Sequence, residues 1–206
     1  LRQALERDTL SPAELYAELL RLVYRLLFLL VVEERGLLSG SDLYRRHYSV
    51  GRLRALVDRR VAATEDDDLW LSLLTLWQLL RDSTLQVDGR PAAALLGLHV
   101  LDGGLFAPAE FESWRLTNRD LLEAVRWLVT MEGDGGRYPV NYAALDVEEL
   151  GSVYESLLEN QAEVKQLGGR LRFEFAEGTE KKLTGSYYTP HELVSELVQS
   201  ALVPVV

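Results

Sequence analysis

The sequence contains no cysteine, only three lysines and no apolar segment long enough to cross a membrane. The absence of cysteine excludes disulfides and thiolate metal sites, and it fits a protein of the reducing cytoplasm. The longest uninterrupted apolar run covers residues 26–32, well short of the ~20 residues that span a bilayer. We therefore expect a cytoplasmic protein with no membrane partner.

Residues that commonly hold metals are also scarce. The three histidines are His47, His99 and His191. They share no metal-ligand spacing, so we predict packing or surface roles and no metal site. Glu163 and Lys165, downstream of Asp146, have the bare form of a nuclease site. Such spacing arises easily in a chain with 26% charged residues, and a solvated strand edge is the simpler interpretation.

The chain has 206 residues, of which 48% are hydrophobic, and a net charge of −10. This composition supports a folded core in one large or two small domains. The negative charge argues against a nucleic-acid-binding face that covers the whole surface, because duplex binding relies on neutralising phosphates. The charge is uneven, however, with +3 over residues 1–60 and −13 over the remainder.

Much of the positive charge lies in one arginine-rich stretch. Its six arginines are Arg45, Arg46, Arg52, Arg54, Arg59 and Arg60. Only Asp42 and Asp58 oppose them locally. We interpret this basic cluster as a candidate contact for DNA phosphates. The alternative is a solvated helix face, since 19 of the 22 basic residues are arginine throughout the chain.

The first long helix has clear start and stop signals. Ser11 is suited to cap it, Pro12 fits its first turn, and Glu14 completes a capping box three residues after the cap. Gly36 is predicted to end it. Two neighbouring apolar stripes at the helical period predict a nearly enclosed core helix. The four tryptophans are predicted to lie in the core or at interfaces, with base stacking as the alternative for Trp114.

The middle of the chain is predicted to be helical with an irregular insert. Residues 42–61 should form one or two short helices, broken near residues 49–51. Thr64 and the acidic residues after it are expected to cap a helix over residues 69–81. Residues 83–117 contain many glycines and prolines, which predicts a loop with one short helix.

Further helix and turn signals follow. Thr117 or Asn118 is expected to cap a helix over residues 120–130. The sequence Glu-Gly-Asp-Gly-Gly-Arg at 132–137 predicts a turn or mobile linker.

The next segment predicts one more helix and a strand. Asp146 and Glu149 form a capping box for a helix that ends near residue 160. Residues 171–175 alternate as a short strand that residues 163–167 could pair with. We therefore predict a mainly α fold, an irregular helical domain with one short strand or hairpin.

The most informative segment is Gly-Ser-Tyr-Tyr-Thr-Pro at residues 185–190. Thr189 can cap a helix that begins at Pro190, and Glu192 completes a capping box. The free N–H groups and positive dipole end of that helix face the loop that carries the two tyrosines. Such a helix start can receive a carboxylate or phosphate beside aromatic rings.

Gly-Ser-Tyr-Tyr-Thr-Pro followed by an amphipathic helix resembles the motif before the catalytic core of adenine-N6 DNA methyltransferases of the restriction-modification and phage-defence type. The resemblance implies that Tyr187, Tyr188, Thr189 and Pro190 contact the methionine end of S-adenosylmethionine. Three further segments resemble other parts of the same family. They are residues 22–38, residues 103–106 and residues 145–159.

Two hallmarks of that family do not occur in this sequence. They are the glycine-rich cofactor strand and the Asn/Asp-Pro-Pro-Tyr/Phe tetrapeptide that grips the flipped adenine. We therefore expect an excised segment of a longer protein, without turnover alone. Its expected parts are a helical domain at 1–131, a linker helix with a short strand or hairpin at 132–180, and the start of the methyltransferase domain at 181–206. A Rossmann-like core would follow.

The resemblance implies a parent protein that methylates adenine in double-stranded DNA, with a flipped base as the acceptor. This segment would support the core and form one wall of the cofactor pocket. Its expected partners are DNA and the remaining methyltransferase domain. The alternative is a non-catalytic helical protein-interaction module whose tyrosine loop binds nothing.

Overall fold

A computed structural model describes residues 11–38, 41–59, 62–101, 103–158, 161–167, 170–176 and 200. It confirms that the chain is mainly helical. The chain divides into two compact units. Residues 17–143 form the first, and residues 11–16 with the described part of 144–206 belong to the second.

Helix α1, Pro12–Glu34, begins and ends as the sequence predicts. The Ser11 backbone N–H donates to Glu14 at 2.8 Å, and the Glu14 N–H donates back to the Ser11 hydroxyl at 3.3 Å. Gly36 follows the helix with a φ of 66°, which glycine adopts without strain. The stripe that contains Leu15, Leu22, Leu26 and Leu29 is buried, whereas the neighbouring stripe is buried at Leu20 and Leu30 and half-buried elsewhere. Helix α1 is therefore a core helix with one face fully enclosed.

Two short helices follow, α2 at Asp42–His47 and α3 at Val50–Leu56. The hydroxyls of Ser41 and Ser49 cap them by accepting backbone N–H bonds at 3.5 Å and 3.1 Å. The predicted break between two short helices is confirmed.

Helix α4, Asp68–Arg81, starts with a different cap from the one we predicted. Asp67 occupies the cap position, and its side chain makes no capping bond. Thr64 instead accepts a bond from the Asn118 side-chain amide at 3.0 Å. The Asn118 oxygen in turn accepts the Leu69 N–H at 3.1 Å. The expected Thr64 cap is wrong because a buried amide from a distant part of the chain satisfies this helix start.

The segment after α4 is more ordered than the predicted loop with one helix. Strands β1, Gln86–Val87, and β2, Arg90–Pro91, pair antiparallel and lead into helix α5, Ala92–Leu95. Two 3₁₀ turns follow at Gly104–Phe106 and Glu110–Ser113.

Helix α6, Asn118–Val129, is capped by Thr117, whose hydroxyl accepts the Asp120 N–H at 3.2 Å. It continues into a hairpin of β3, Thr130–Gly133, and β4, Gly136–Pro139. The predicted turn is the tip of this hairpin, but the sequence did not predict its strands. Nearly all their residues are exposed, so no apolar alternation marks them.

The second unit contains helix α7, Val147–Leu158, and a longer hairpin. The predicted capping box is present, with Asp146 N–H to Glu149 at 2.9 Å and Glu149 N–H to Asp146 at 2.7 Å. Strands β5, Gln161–Leu167, and β6, Arg170–Ala176, pair antiparallel, which confirms the predicted pairing.

The fold-class prediction needs one correction. The described residues form three antiparallel strand pairs, whereas the sequence predicted one short strand or hairpin. The two additional pairs are short and exposed, so the mainly α class holds.

An aromatic cluster forms the centre of the first unit. The rings of Trp70 and Trp77 lie 5.5 Å apart, and Phe111 packs 5.5 Å from Trp77. Of the two locations predicted for the tryptophans, core or interface, Trp127 does not occupy the core, because two thirds of its surface is exposed. Among the helices that the structure describes, none is both long and apolar enough to cross a bilayer.

Candidate functional site

The predicted cofactor loop is not part of the described chain. Tyr187, Tyr188, Thr189 and Pro190 lie outside the described residues. Arg60, the last arginine of the basic cluster, also lies outside them. The structure does describe the other five arginines of that cluster, and it divides them into two groups.

Three arginines face solvent. Arg45 and Arg46 stand on the last turn of α2, with 58% and 74% of their side chains exposed. Both form ion pairs with Asp42, the Arg46 pair at 3.6 Å. Arg59 is also exposed, beyond the end of α3. Exposed ion pairs contribute little to stability, so these arginines can exchange partners readily.

The other two arginines are held by the protein. Arg54 pairs with Glu34 and also donates to the Val140 carbonyl at 2.8 Å. Arg52 donates to the Ser72 hydroxyl at 3.1 Å. The basic cluster is therefore not one continuous face, and Arg54 serves the packing of this unit.

A cleft of about 390 Å³ opens beside this region. Its walls come from the C-terminal end of α1, the turn after it, α2 and the first turn of α3. Leu30, Leu38 and Tyr44 supply apolar surface, while Arg45 and Arg52 are its basic lining residues. The volume falls in the range of small-molecule sites.

Glu33 organises the floor of this cleft. Its carboxylate accepts the backbone N–H groups of Val50 at 2.9 Å and Gly51 at 2.7 Å, and it accepts the Tyr44 hydroxyl. The carboxylate thus satisfies free N–H groups at the start of α3. Burial raises the pKa of the Glu33 carboxyl, against the opposing effect of these three bonds. Burial, together with the adjacent Glu33 charge, likewise raises the pKa of Tyr44.

Glu34, the second acid of the cleft, is also engaged. It pairs with Arg54, and its other oxygen accepts the backbone N–H groups of Tyr142 at 3.0 Å and Ala143 at 3.3 Å. These contacts join residues more than 100 positions apart within the first unit. Both carboxylates of the cleft thus accept hydrogen bonds, but of the two only Glu34 has a cationic partner in the described part of the chain.

Arg52 is different. It forms no ion pair with any carboxylate in the described part of the chain, and its Nε is buried without a hydrogen-bond partner. Burial lowers the pKa of Arg52, and the more distant charge of Asp68 opposes that effect. Arginine stays protonated under all ordinary conditions, so the cleft is lined by the Arg52 cation and by the Glu33 carboxylate, whose three hydrogen-bond donors are neutral.

A second polar cluster lies inside the aromatic core. Arg25 is fully buried, with its guanidinium 5.1 Å from the Trp77 ring centre and 4.8 Å from that of Phe111. It donates to Glu112 at 2.7 Å, and Arg81 donates to the same carboxylate at 2.7 Å and 2.8 Å. Burial raises the pKa of Glu112, but the bonds and charges of the two arginines outweigh it and lower the pKa. We assign this cluster a structural role because its groups bond to one another.

Sequence analysis did not identify Arg25 as a core residue. A signal was available, since Arg25 lies three residues after Leu22 and four before Leu29, on one helix face. Both leucines are buried. An arginine on such a face requires a buried acceptor, which the 3₁₀ turn at Glu110–Ser113 supplies through Glu112.

The described residues contain no group of three or more acidic or histidine side chains that could hold a metal ion. No protein-family model, curated protein or solved structure matches the chain.

Proposed function

We propose that this chain is the helical segment before the catalytic core of an S-adenosylmethionine-dependent DNA adenine-N6 methyltransferase. The observation that carries the proposal is the sequence Gly-Ser-Tyr-Tyr-Thr-Pro at 185–190, in which Thr189 and Glu192 have the spacing that predicts a capping box. The mainly helical fold is consistent with it, as are the capped helix α7 and the β5–β6 hairpin that precede this sequence. The parent protein would serve restriction-modification or phage defence, and a Rossmann-like core would follow the motif.

In this proposal the segment supports the core and contributes one wall of the cofactor pocket. Tyr187 and Tyr188 pack against the methionine end of the cofactor, and the Thr189 cap presents the free N–H groups of the helix to its carboxylate. The segment has no turnover alone, because the adenine-gripping tetrapeptide does not occur in it.

The proposed DNA contacts are the exposed members of the basic cluster. Arg45, Arg46 and Arg59 are accessible to a phosphate. Arg54 is not proposed, since its guanidinium is occupied by Glu34 and Val140. Contacts of this kind position a protein on the duplex without reading its sequence.

Calorimetric titration with S-adenosylmethionine tests the cofactor role in the longer protein that the proposal requires. We expect Tyr188→Ala and Thr189→Ala each to weaken binding by about tenfold, or ~1.4 kcal/mol. Tyr138→Ala, which removes an exposed tyrosine of the β4 strand, is the matched control and should leave binding unchanged. Absent binding, or binding equal in all three variants, would favour the helical interaction module instead.

A further inference from the structure

We propose that Asp42 restrains DNA binding by this chain, because its carboxylate occupies the two arginines, Arg45 and Arg46, that would otherwise contact a phosphate. This inference rests on the proposed DNA contacts and adds an autoinhibitory contact to them. It does not depend on the proposed cofactor loop.

Asp42 reaches both arginines because the three residues share one face of α2. Asp42 is the first residue of this helix, and Arg45 and Arg46 follow it by three and four positions. Side chains at these spacings meet on a helix surface. One oxygen of the Asp42 carboxylate bonds to Nη2 of Arg45, and the other lies 3.6 Å from Nη2 of Arg46. Each arginine therefore faces a different oxygen of the same acid.

The contact reduces the positive charge that this surface offers to a phosphate. The two arginines alone carry a charge of +2, and together with Asp42 they carry +1. In the described part of the chain, neither arginine forms an ion pair with any other carboxylate. Asp42 is therefore the local competitor of a phosphate for both guanidinium groups.

A phosphate can replace Asp42 without a change in the fold. Carboxylate and phosphate oxygens accept bonds from the same guanidinium N–H groups. The side chains of Asp42, Arg45 and Arg46 are 68%, 58% and 74% exposed, so DNA can approach all three. Ion pairs this exposed are weak, and we expect the competition to lower the affinity for DNA by about threefold.

Fluorescence anisotropy of the chain with a DNA duplex at low salt tests the proposal. Asp42→Asn removes the competing charge and leaves the Ser41 cap of α2 in place. It should tighten binding by about threefold, and the gain should shrink as salt is added, because salt screens exposed charges. Asp42→Glu keeps the charge and should bind as the unmodified chain does. Asp134→Asn is the matched control, since it removes the same charge from an exposed turn elsewhere, and it should change binding far less.

A double-mutant cycle shows whether Asp42 acts through the two arginines. In the Arg45→Gln/Arg46→Gln background, Asp42→Asn should no longer tighten binding. The proposal is overturned if Asp42→Asn binds DNA no more tightly than the unmodified chain, if it tightens binding equally in both backgrounds, or if none of the variants binds DNA. When Arg45→Gln/Arg46→Gln weakens binding but Asp42→Asn has no effect, only the autoinhibitory contact is wrong. Unchanged binding by Arg45→Gln/Arg46→Gln instead refutes the proposed DNA contacts as well.

Discussion

The guanidinium of Arg25 and the carboxylate of Glu112 form a 2.7 Å ion pair inside the aromatic core of residues 17–143. Arg25 comes from the middle of α1, whereas Glu112 comes from the short 3₁₀ turn far along the chain. The pair therefore fixes the irregular segment after α4 against the first helix. A long segment with little regular structure needs such a specific attachment, because its own backbone bonds are few.

Removing the acid should destabilise the protein strongly. Glu112→Ala leaves Arg25 buried and charged with no acid to pair with, and we expect a loss of about 3 kcal/mol in the free energy of unfolding. Urea unfolding of the two proteins measures it. Glu110→Ala removes an exposed acid from the same turn, and it should change stability by less than about 0.5 kcal/mol. Equal losses from the two variants would contradict a special role for the pair.

The Arg25–Glu112 pair should make the stability of the protein depend on pH in the acidic range. Arg25 and Arg81 lower the pKa of Glu112 below the ordinary 4.5. The contribution of the Glu112 carboxylate to the free energy of unfolding is therefore full above that pH. It is lost as the pH falls through the lower folded-state value. Glu112→Gln should flatten this part of the stability curve. Glu33 should have the opposite effect on the pH dependence of stability, because burial raises its pKa. Glu33→Gln should therefore not flatten the acid side of the stability curve. Thermal unfolding between pH 3 and 6 distinguishes the two, and an unchanged curve for Glu112→Gln would contradict the assignment.

Glu33 should be needed for the start of α3. Glu33→Ala removes the acceptor of the Val50 and Gly51 N–H groups and of the Tyr44 hydroxyl, at an expected cost of about 2 kcal/mol. Glu33→Gln keeps one acceptor oxygen, so its loss should be smaller. Chemical denaturation gives both values. A Gln variant as unstable as the Ala variant would show that charge, rather than hydrogen bonding, holds the helix start.

The proposed DNA contacts should affect the salt dependence of binding. The double variant Arg45→Gln/Arg46→Gln should bind DNA more weakly and lower the slope of log K against log salt by about 2, one for each lost phosphate contact. Fluorescence anisotropy with duplexes of two unrelated sequences measures it, and the loss should be the same for both. Arg137→Gln removes an exposed arginine outside the basic cluster and should leave the slope unchanged. An unchanged slope in the double variant would remove these arginines from the DNA interface.

Helix starts with local signals could be predicted from the sequence. The pairs Ser11–Glu14 and Asp146–Glu149 place both partners three residues apart, and the structure contains the expected bonds. The start of α4 could not be predicted in this way. Its acceptor is Asn118, 49 positions after Leu69, and nothing near Thr64 indicates that contact.

The candidate cleft could not be predicted for the same physical reason. Sequence analysis grouped Arg45, Arg52 and Arg54 by proximity and charge. In the structure the three arginines differ in their partners. Arg45 pairs with Asp42 on the same helix, Arg52 bonds to Ser72 on α4, and Arg54 bonds to Glu34 and Val140. All but the first of these partners are distant in sequence. The tyrosine motif at 185–190 could be recognised from the sequence because its residues are contiguous.

Mass spectrometry of adenine in DNA after incubation with S-adenosylmethionine and the longer protein tests the proposed function most directly. We predict N6-methyladenine with the unmodified protein and with Tyr138→Ala, and a loss of at least about tenfold with Tyr188→Ala. Cofactor binding without any methylated adenine, or equal methylation in both tyrosine variants, would contradict the proposed role of the 185–190 loop.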